Sequence, residues 1–229
     1  MLQNPLLLFQ TAEGLERQEE TENLFSILAE SGLLAIVIYI ILFILFVVSV
    51  YIFFERYGAI KRAGKVDDSF MNNIRANVQS GNIQGAKALC QTTDSPVARM
   101  VEKGIQRIGK PLRDIDAAIE NVGNLEIFKL EKSLSTLASI AGAAPMIGFF
   151  GTVTGMIAAF YNMSTQQNVT PSVLAGGIYT ALLTTAMGLA IGIIAFIGYN
   201  VLVANVEKVV FKMERSTTEF MDLLQEPTA

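Results

Sequence analysis

The chain has 229 residues, 52% of them hydrophobic and 17% charged, with a formal net charge of -4 and a mean hydropathy of +0.44. So apolar a balance points to a membrane, and the net charge gives nucleic-acid binding no support. The sequence has no histidine, which excludes Ser-His-Asp and Cys-His catalysis and histidine metal sites, and it has no phosphate-cradling glycine motif with its lysine. Nothing marks an enzyme, a metal site or a bound cofactor.

Residues 1–30 form an acidic arm carrying Glu13, Glu16, Glu19, Glu20, Glu22 and Glu30. Its start, MLQNPLLLFQTAEG, lacks a basic n-region, so no signal-peptide cleavage is expected. Leu24, Phe25, Ile27 and Leu28 make one apolar face of an amphipathic helix leading into the first span. Residues 31–54, SGLLAIVIYIILFILFVVSVYIFF, contain no charge. At ~1.5 Å per residue this tract is long enough for a hydrocarbon core of ~30 Å, and it reads as the first transmembrane helix.

Residues 55–132 are polar but keep helical spacing, as in Phe70, Ile74, Val78 and Leu112, Ile115, Ile119. Breaks are expected at Ser80–Gly85, at Thr92–Pro96 and at Ile108–Pro111. From Leu112 onward no strong stop occurs before Pro145, so one helix is expected to run from this region into the second span, with Pro145 kinking it. The lone cysteine, Cys90, excludes an intramolecular disulfide and reads as a reduced thiol.

Residues 133–206 are again free of charge, and their polar centre, Tyr161–Ser172, would be poorly tolerated in lipid. The tract therefore reads as two crossings, 133–161 and 172–205, joined by a loop at 162–171. Beyond it, residues 206–229 keep apolar positions at Val206, Val209, Val210, Met213 and Phe220, so the third helix continues past the membrane. Of the 17 Lys and Arg residues, 13 lie between Arg56 and Lys132 and three are Lys208, Lys212 and Arg215. The positive-inside rule places 55–132 and the C-terminus in the cytoplasm and the N-terminus and the 162–171 loop outside. The expected fold is an all-α membrane protein: three transmembrane helices with long cytoplasmic extensions, suited to a bundle of several copies.

The second and third spans differ in kind from the first. Gly148, Gly151 and Gly155 in one, and Gly188 and Gly192 in the other, are small residues of the sort that let helix backbones approach closely. Thr180, Thr184, Gly188 and Gly192 share one helical stripe, with Thr185 about 100° to its side, while Gly148, Thr152, Gly155 and Ala159 make a similar stripe. Each threonine hydroxyl either bonds a carbonyl of its own helix or a neighbour, or lines an ion path where hydroxyl oxygens help replace a water shell. These two spans carry no Asp, Glu, Lys, Arg or His, so a proton path through them needs a titratable group from another chain.

The segments APMIGFFGTVTGMIAAF (Ala144–Phe160) and AGGIYTALLTTAMGLAIGIIAFIGYN (Ala175–Asn200) resemble the AP-LG--GTV-GM/I--F and GI--AL--TA-GL--AI-A---YN patterns of the MotA/TolQ/ExbB family of bacterial inner-membrane channel subunits. Three spans rather than four favour its ExbB/TolQ branch. The resemblance implies a homopentamer surrounding two ExbD- or TolR-like single-span partners, each with a membrane aspartate. Ion flow would drive rotation that transmits work to a TonB- or TolA-like protein. It implies ion-path roles for Thr152, the threonine of the GTV motif, and for Thr185. Thr180 stands where ExbB and TolQ commonly carry glutamate, and the pair Thr184 and Thr185 resembles sodium-driven flagellar stators. Protons are favoured as coupling ion on family frequency, with sodium the alternative. A stator of a gliding or other surface machine, and a non-conducting membrane scaffold, are the competing functions.

Overall fold

A computed structural model describes residues 33–65, 69–165 and 171–225, together with no side chain of 171–173. The acidic arm with its amphipathic face and the middle of the 162–171 loop lie outside the described residues. The described residues are helical throughout apart from short turns. In chain order the helices are α1 (Leu33–Ala63), α2 (Ser69–Gln79), α3 (Ile83–Thr92), α4 (Pro96–Ile105), α5 (Leu112–Glu131), α6 (Leu134–Thr165) and α7 (Pro171–Gln225). Three stretches, Leu33–Ala63, Leu112–Thr165 and Leu174–Gln225, are long and apolar enough to cross a membrane. The chain is a multi-pass membrane protein. In lipid each backbone N–H must find a partner within its own segment, which is why these tracts are helical despite their many β-branched residues.

The expected breaks have clear local causes. Gly81 and Gly109 adopt φ of +72° and +93°, a left-handed conformation that costs glycine little. The Asn82 side chain accepts from Gly85 N at 3.0 Å and starts α3. Ser95 Oγ accepts from Ala98 N at 3.1 Å, with Pro96 at the first helical position of α4.

One expectation fails. The helix from Leu112 does not run unbroken into the second span; it ends at Glu131, and α6 begins at Leu134. Lys132 leaves helical geometry (φ -49°, ψ 133°) and Ser133 is left-handed (φ 66°). The interruption falls where the last charge, Lys132, meets the charge-free tract. Farther on, α6 continues through Pro145 to Thr165, and the third helix is continuous for 55 residues.

The chain forms two compact units. One, Met1–Ile44 with Ala144–Ala190, contains the described parts of α1, α6 and α7 that include the threonines. There Ile38, Tyr39 and Leu42 of α1 are buried, and Tyr39 Oη donates to Thr180 O at 3.1 Å. The other unit, Leu45–Ala143 with Ile191–Ala229, holds α2–α5 and the remaining lengths of the long helices. Consecutive short helices pack on one another there. Ile74, Val97, Val101, Ile119, Met213 and Phe220 form the centre of its core. A methyl group on Gly104 would lie 2.5 Å from the Phe220 ring and 2.8 Å from Ile119, so α4, α5 and α7 meet without slack. Cys90 is buried, and burial pushes its thiol up to about 12, which leaves it unreactive as a nucleophile.

Charge ties this second unit together. Buried Glu126 on α5 accepts from Arg99 Nη2 and from Lys129 Nζ, both at 2.7 Å, and Arg99 Nη1 also donates to Asp94 at 2.7 Å. Arg56 Nη1 of α1 donates to Lys129 O at 3.1 Å. Burial alone would raise the Glu126 carboxyl, but the hydrogen bonds and charges of Arg99 and Lys129 outweigh it and hold it below the usual value. A carboxyl lowered on folding stabilises above its unfolded pKa of about 4.3, and that contribution disappears as pH falls through the folded value. Glu126→Gln is therefore expected to cost about 1–2 kcal/mol at neutral pH, the partners Arg99 and Lys129 being partly exposed. The variant should also flatten the acid limb of a melting-temperature profile. An unchanged melting temperature at pH 7 would show that the bridges add no net stability.

Candidate functional site

The helices α6 and α7 run antiparallel and approach until there is no room for a side chain. A methyl group on Gly148 would lie 2.7 Å from Thr184 O and 3.0 Å from Gly188 Cα; one on Gly188 would lie 2.6 Å from Ala144 O. Above this crossing Gly151 faces Thr184, Gly155 faces Ala181, and Gly177 faces Ala159. Gly192, in the other unit, is buried. With apolar residues offering no hydrophobic drive inside lipid, close backbone approach supplies the attraction through dispersion and hydrogen bonds.

That closeness sets the hydroxyl chemistry. Thr184 is 1% exposed, and its Oγ1 donates to Ala181 O at 2.7 Å, with Gly148 O at 3.2 Å. Thr152 and Thr185 are half-buried and face each other across the two helices, Oγ1 to Oγ1. Thr152 Oγ1 lies 3.0 Å from Ala181 O, and Thr185 Oγ1 lies 3.1 Å from Gly148 O. Two hydroxyls own two hydrogens, so the set can be wired in two directions. Either Thr185 donates to Thr152 and Thr152 to Ala181 O, or Thr152 donates to Thr185 and Thr185 to Gly148 O. In both arrangements hydroxyl lone pairs remain to accept from, or coordinate, a passing cation.

Thr180 stands apart. Its hydroxyl bonds Gly177 O at 3.0 Å and Gly176 O at 3.2 Å on its own helix, and only its carbonyl reaches α1, through Tyr39. The four threonines are thus three around the Gly148 and Ala181 carbonyls and one bonded within α7. Sequence patterning did not single out Tyr39 or the carbonyl of Ala181. A hydroxyl-bearing ring in a charge-free span was a weak signal for the first, since Tyr51 offers the same. Backbone acceptors leave no signal in a pattern of side chains.

The sequence pattern of the MotA/TolQ/ExbB proton channel family matches residues 92–215, from the short helices through both glycine-rich spans. The chain belongs to this family. It is 28% identical over 213 residues to the Tol-Pal system protein TolQ of Pseudomonas aeruginosa, covering 88% of this chain and 92% of that one. It is 43% identical over 77 residues to TolQ of Haemophilus influenzae, 34% of each chain. A putative biopolymer transport protein ExbB homolog of Methanothermobacter thermautotrophicus is 31% identical over 120 residues, 52% of this chain and 42% of the relative. Against the latter two, the match spans less than half of the relative's length, whereas the first runs nearly end to end. These names place the chain in the ExbB/TolQ branch.

The crossing makes a contrast between two glycines measurable. Gly148→Ala forces a methyl group onto backbone and is expected to cost about 1–3 kcal/mol. Gly142→Ala, with nothing within 4 Å of the added carbon, should be neutral or slightly stabilising through helix propensity. Thermal melting of the two variants in detergent checks this, and equal melting temperatures would contradict the close approach.

Proposed function

We propose that this chain is the ion-conducting subunit of an inner-membrane motor that uses the proton motive force to energise Tol- or TonB-dependent work at the outer membrane. The observation that carries the reading is the Thr152–Thr185 hydroxyl pair, held between two spans that contain no ionisable Asp, Glu, Lys, Arg or His. A polar pair kept half-buried in so apolar a setting suits a relay for protons rather than a fold-stabilising bond alone, because Thr184 already supplies such a bond one residue away. In this reading Thr152 and Thr185 form the path. Thr184 with Gly148, Gly151, Gly155, Gly188 and Gly192 holds the helices together, and Thr180 borders the path through α7.

The missing titratable group comes from a partner, an ExbD- or TolR-like single-span protein with a membrane aspartate. The names of the TolQ and ExbB relatives support partners of this kind and a TonB- or TolA-like protein beyond them. Copies of the chain assemble as a pentamer around it, with the exposed apolar surfaces of α1 left to lipid. The basic residues favour an N-terminus in the periplasm and a C-terminus in the cytoplasm, with 55–132 and 206–229 forming the cytoplasmic helices. Protons are the proposed coupling ion.

Valine matches threonine in shape but lacks the hydroxyl. Thr152→Val and Thr185→Val should each lower ion flux through the reconstituted complex about tenfold or more, one lost hydrogen bond of about 1.4 kcal/mol in the barrier. Assembly size by gel filtration should not change, Thr180→Val should stay near the parent, and flux at fixed potential should not depend on sodium. Full flux in both path variants would leave the scaffold reading as the better one.

A further inference from the structure

Where the apolar lengths of α1 and α7 give way to charge, the two helices border a cleft of about 320 Å³. Its floor is apolar, formed by the buried side chains of Ile60 and Val209. Its rim carries three lysines, Lys61, Lys208 and Lys212, with Tyr57 beside Lys61. Among the described residues no carboxylate stands within 4.0 Å of any of the three ammonium groups. Lys212 Nζ gives one hydrogen to Gly64 O at 2.9 Å, and Lys61 Nζ stands 5.9 Å from the centre of the Tyr57 ring. Both ammoniums keep further donors free.

Three like charges around one notch repel one another unless an anion lies among them. The surface leading away from the notch tells which kind. Phe54 precedes Tyr57 by one turn on α1, and Val201 precedes Val209 by two turns on α7; both are exposed. By helical spacing each falls on the cleft side of its own helix, so the apolar track from the basic rim runs toward the membrane-spanning lengths. Lysines reach such a level by laying their stems along apolar surface, and tyrosine favours the same depth. A soluble phosphate would share the charge chemistry but would have no use for the track.

We infer that this cleft binds the phosphate of an anionic phospholipid headgroup, with its acyl chains along Phe54 and Val201. The inference requires the chain to lie in a membrane but not to conduct ions. Its consequence is a lipid-dependent brace joining α1 to α7 at the membrane surface.

Electron spin resonance of the full-length chain in phosphatidylcholine bilayers tests it, with trace spin-labelled phosphatidylglycerol compared with spin-labelled phosphatidylcholine. The parent protein should retain phosphatidylglycerol about fivefold more strongly. The triple variant Lys61→Gln, Lys208→Gln, Lys212→Gln should bring that ratio to about one, and millimolar inorganic phosphate should leave the parent ratio unchanged. A ratio near one in the parent, or a full preference in the triple variant, would overturn the site. Loss of the preference under inorganic phosphate would reassign it to a soluble anion. Should circular dichroism show that the triple variant has lost helix, the single variants decide: Lys208→Gln should lower the ratio and Lys208→Arg should keep it, and equal ratios would refute the inference.

Discussion

The contact between Gly148 and Gly188 is the constraint on which the remaining membrane structure depends. With a separation that admits no Cβ, the carbonyls of Gly148 and Ala181 come within reach of hydroxyls on both helices. A wider crossing would leave those hydroxyls to bond only within their own helices, as Thr180 does. Close approach therefore does two things at once. It replaces the hydrophobic drive that lipid does not supply, and it turns isolated threonines into a connected polar set.

The set is also defined by what surrounds it. A proton or cation crossing an apolar region needs compensating groups, and a fixed charge in each subunit would be costly to keep there unpaired. Hydroxyls offer lone pairs without that cost. In the function proposed above, a carboxylate on another chain would separate the fixed walls of a path from the group that changes charge. The charge-free tract supplies no titratable Asp, Glu, Lys, Arg or His of its own, and the chain belongs to the MotA/TolQ/ExbB proton channel family.

Much of this was legible in the sequence because membranes make patterns strict. The charge-free tracts pointed to three helices apolar enough to cross a membrane, and the spacing of Gly148, Gly151 and Gly155 against Gly188 marked the crossing helices. The turns at Gly81, Asn82, Ser95 and Gly109 each used residues whose side chains or backbone favour a break. The end of α5 was not legible, because neither Lys132 nor the left-handed Ser133 is a residue type that strongly breaks helices. Nor was the division among the threonines. Thr180 and Thr184 lie on the same stripe, and only the distance to α6 separates a hydroxyl buried against Gly148 and Gly151 from one bonded to Gly177.

The most direct measurement is proton flux into liposomes under an imposed membrane potential, read by a trapped pH-sensitive dye, with this chain alone and with a single-span partner carrying a membrane aspartate. The chain alone should leave the internal pH unchanged, and the complex should acidify the interior. Flux through the chain alone at the rate of the complex would contradict that expectation, since the path would then need no carboxylate from another protein.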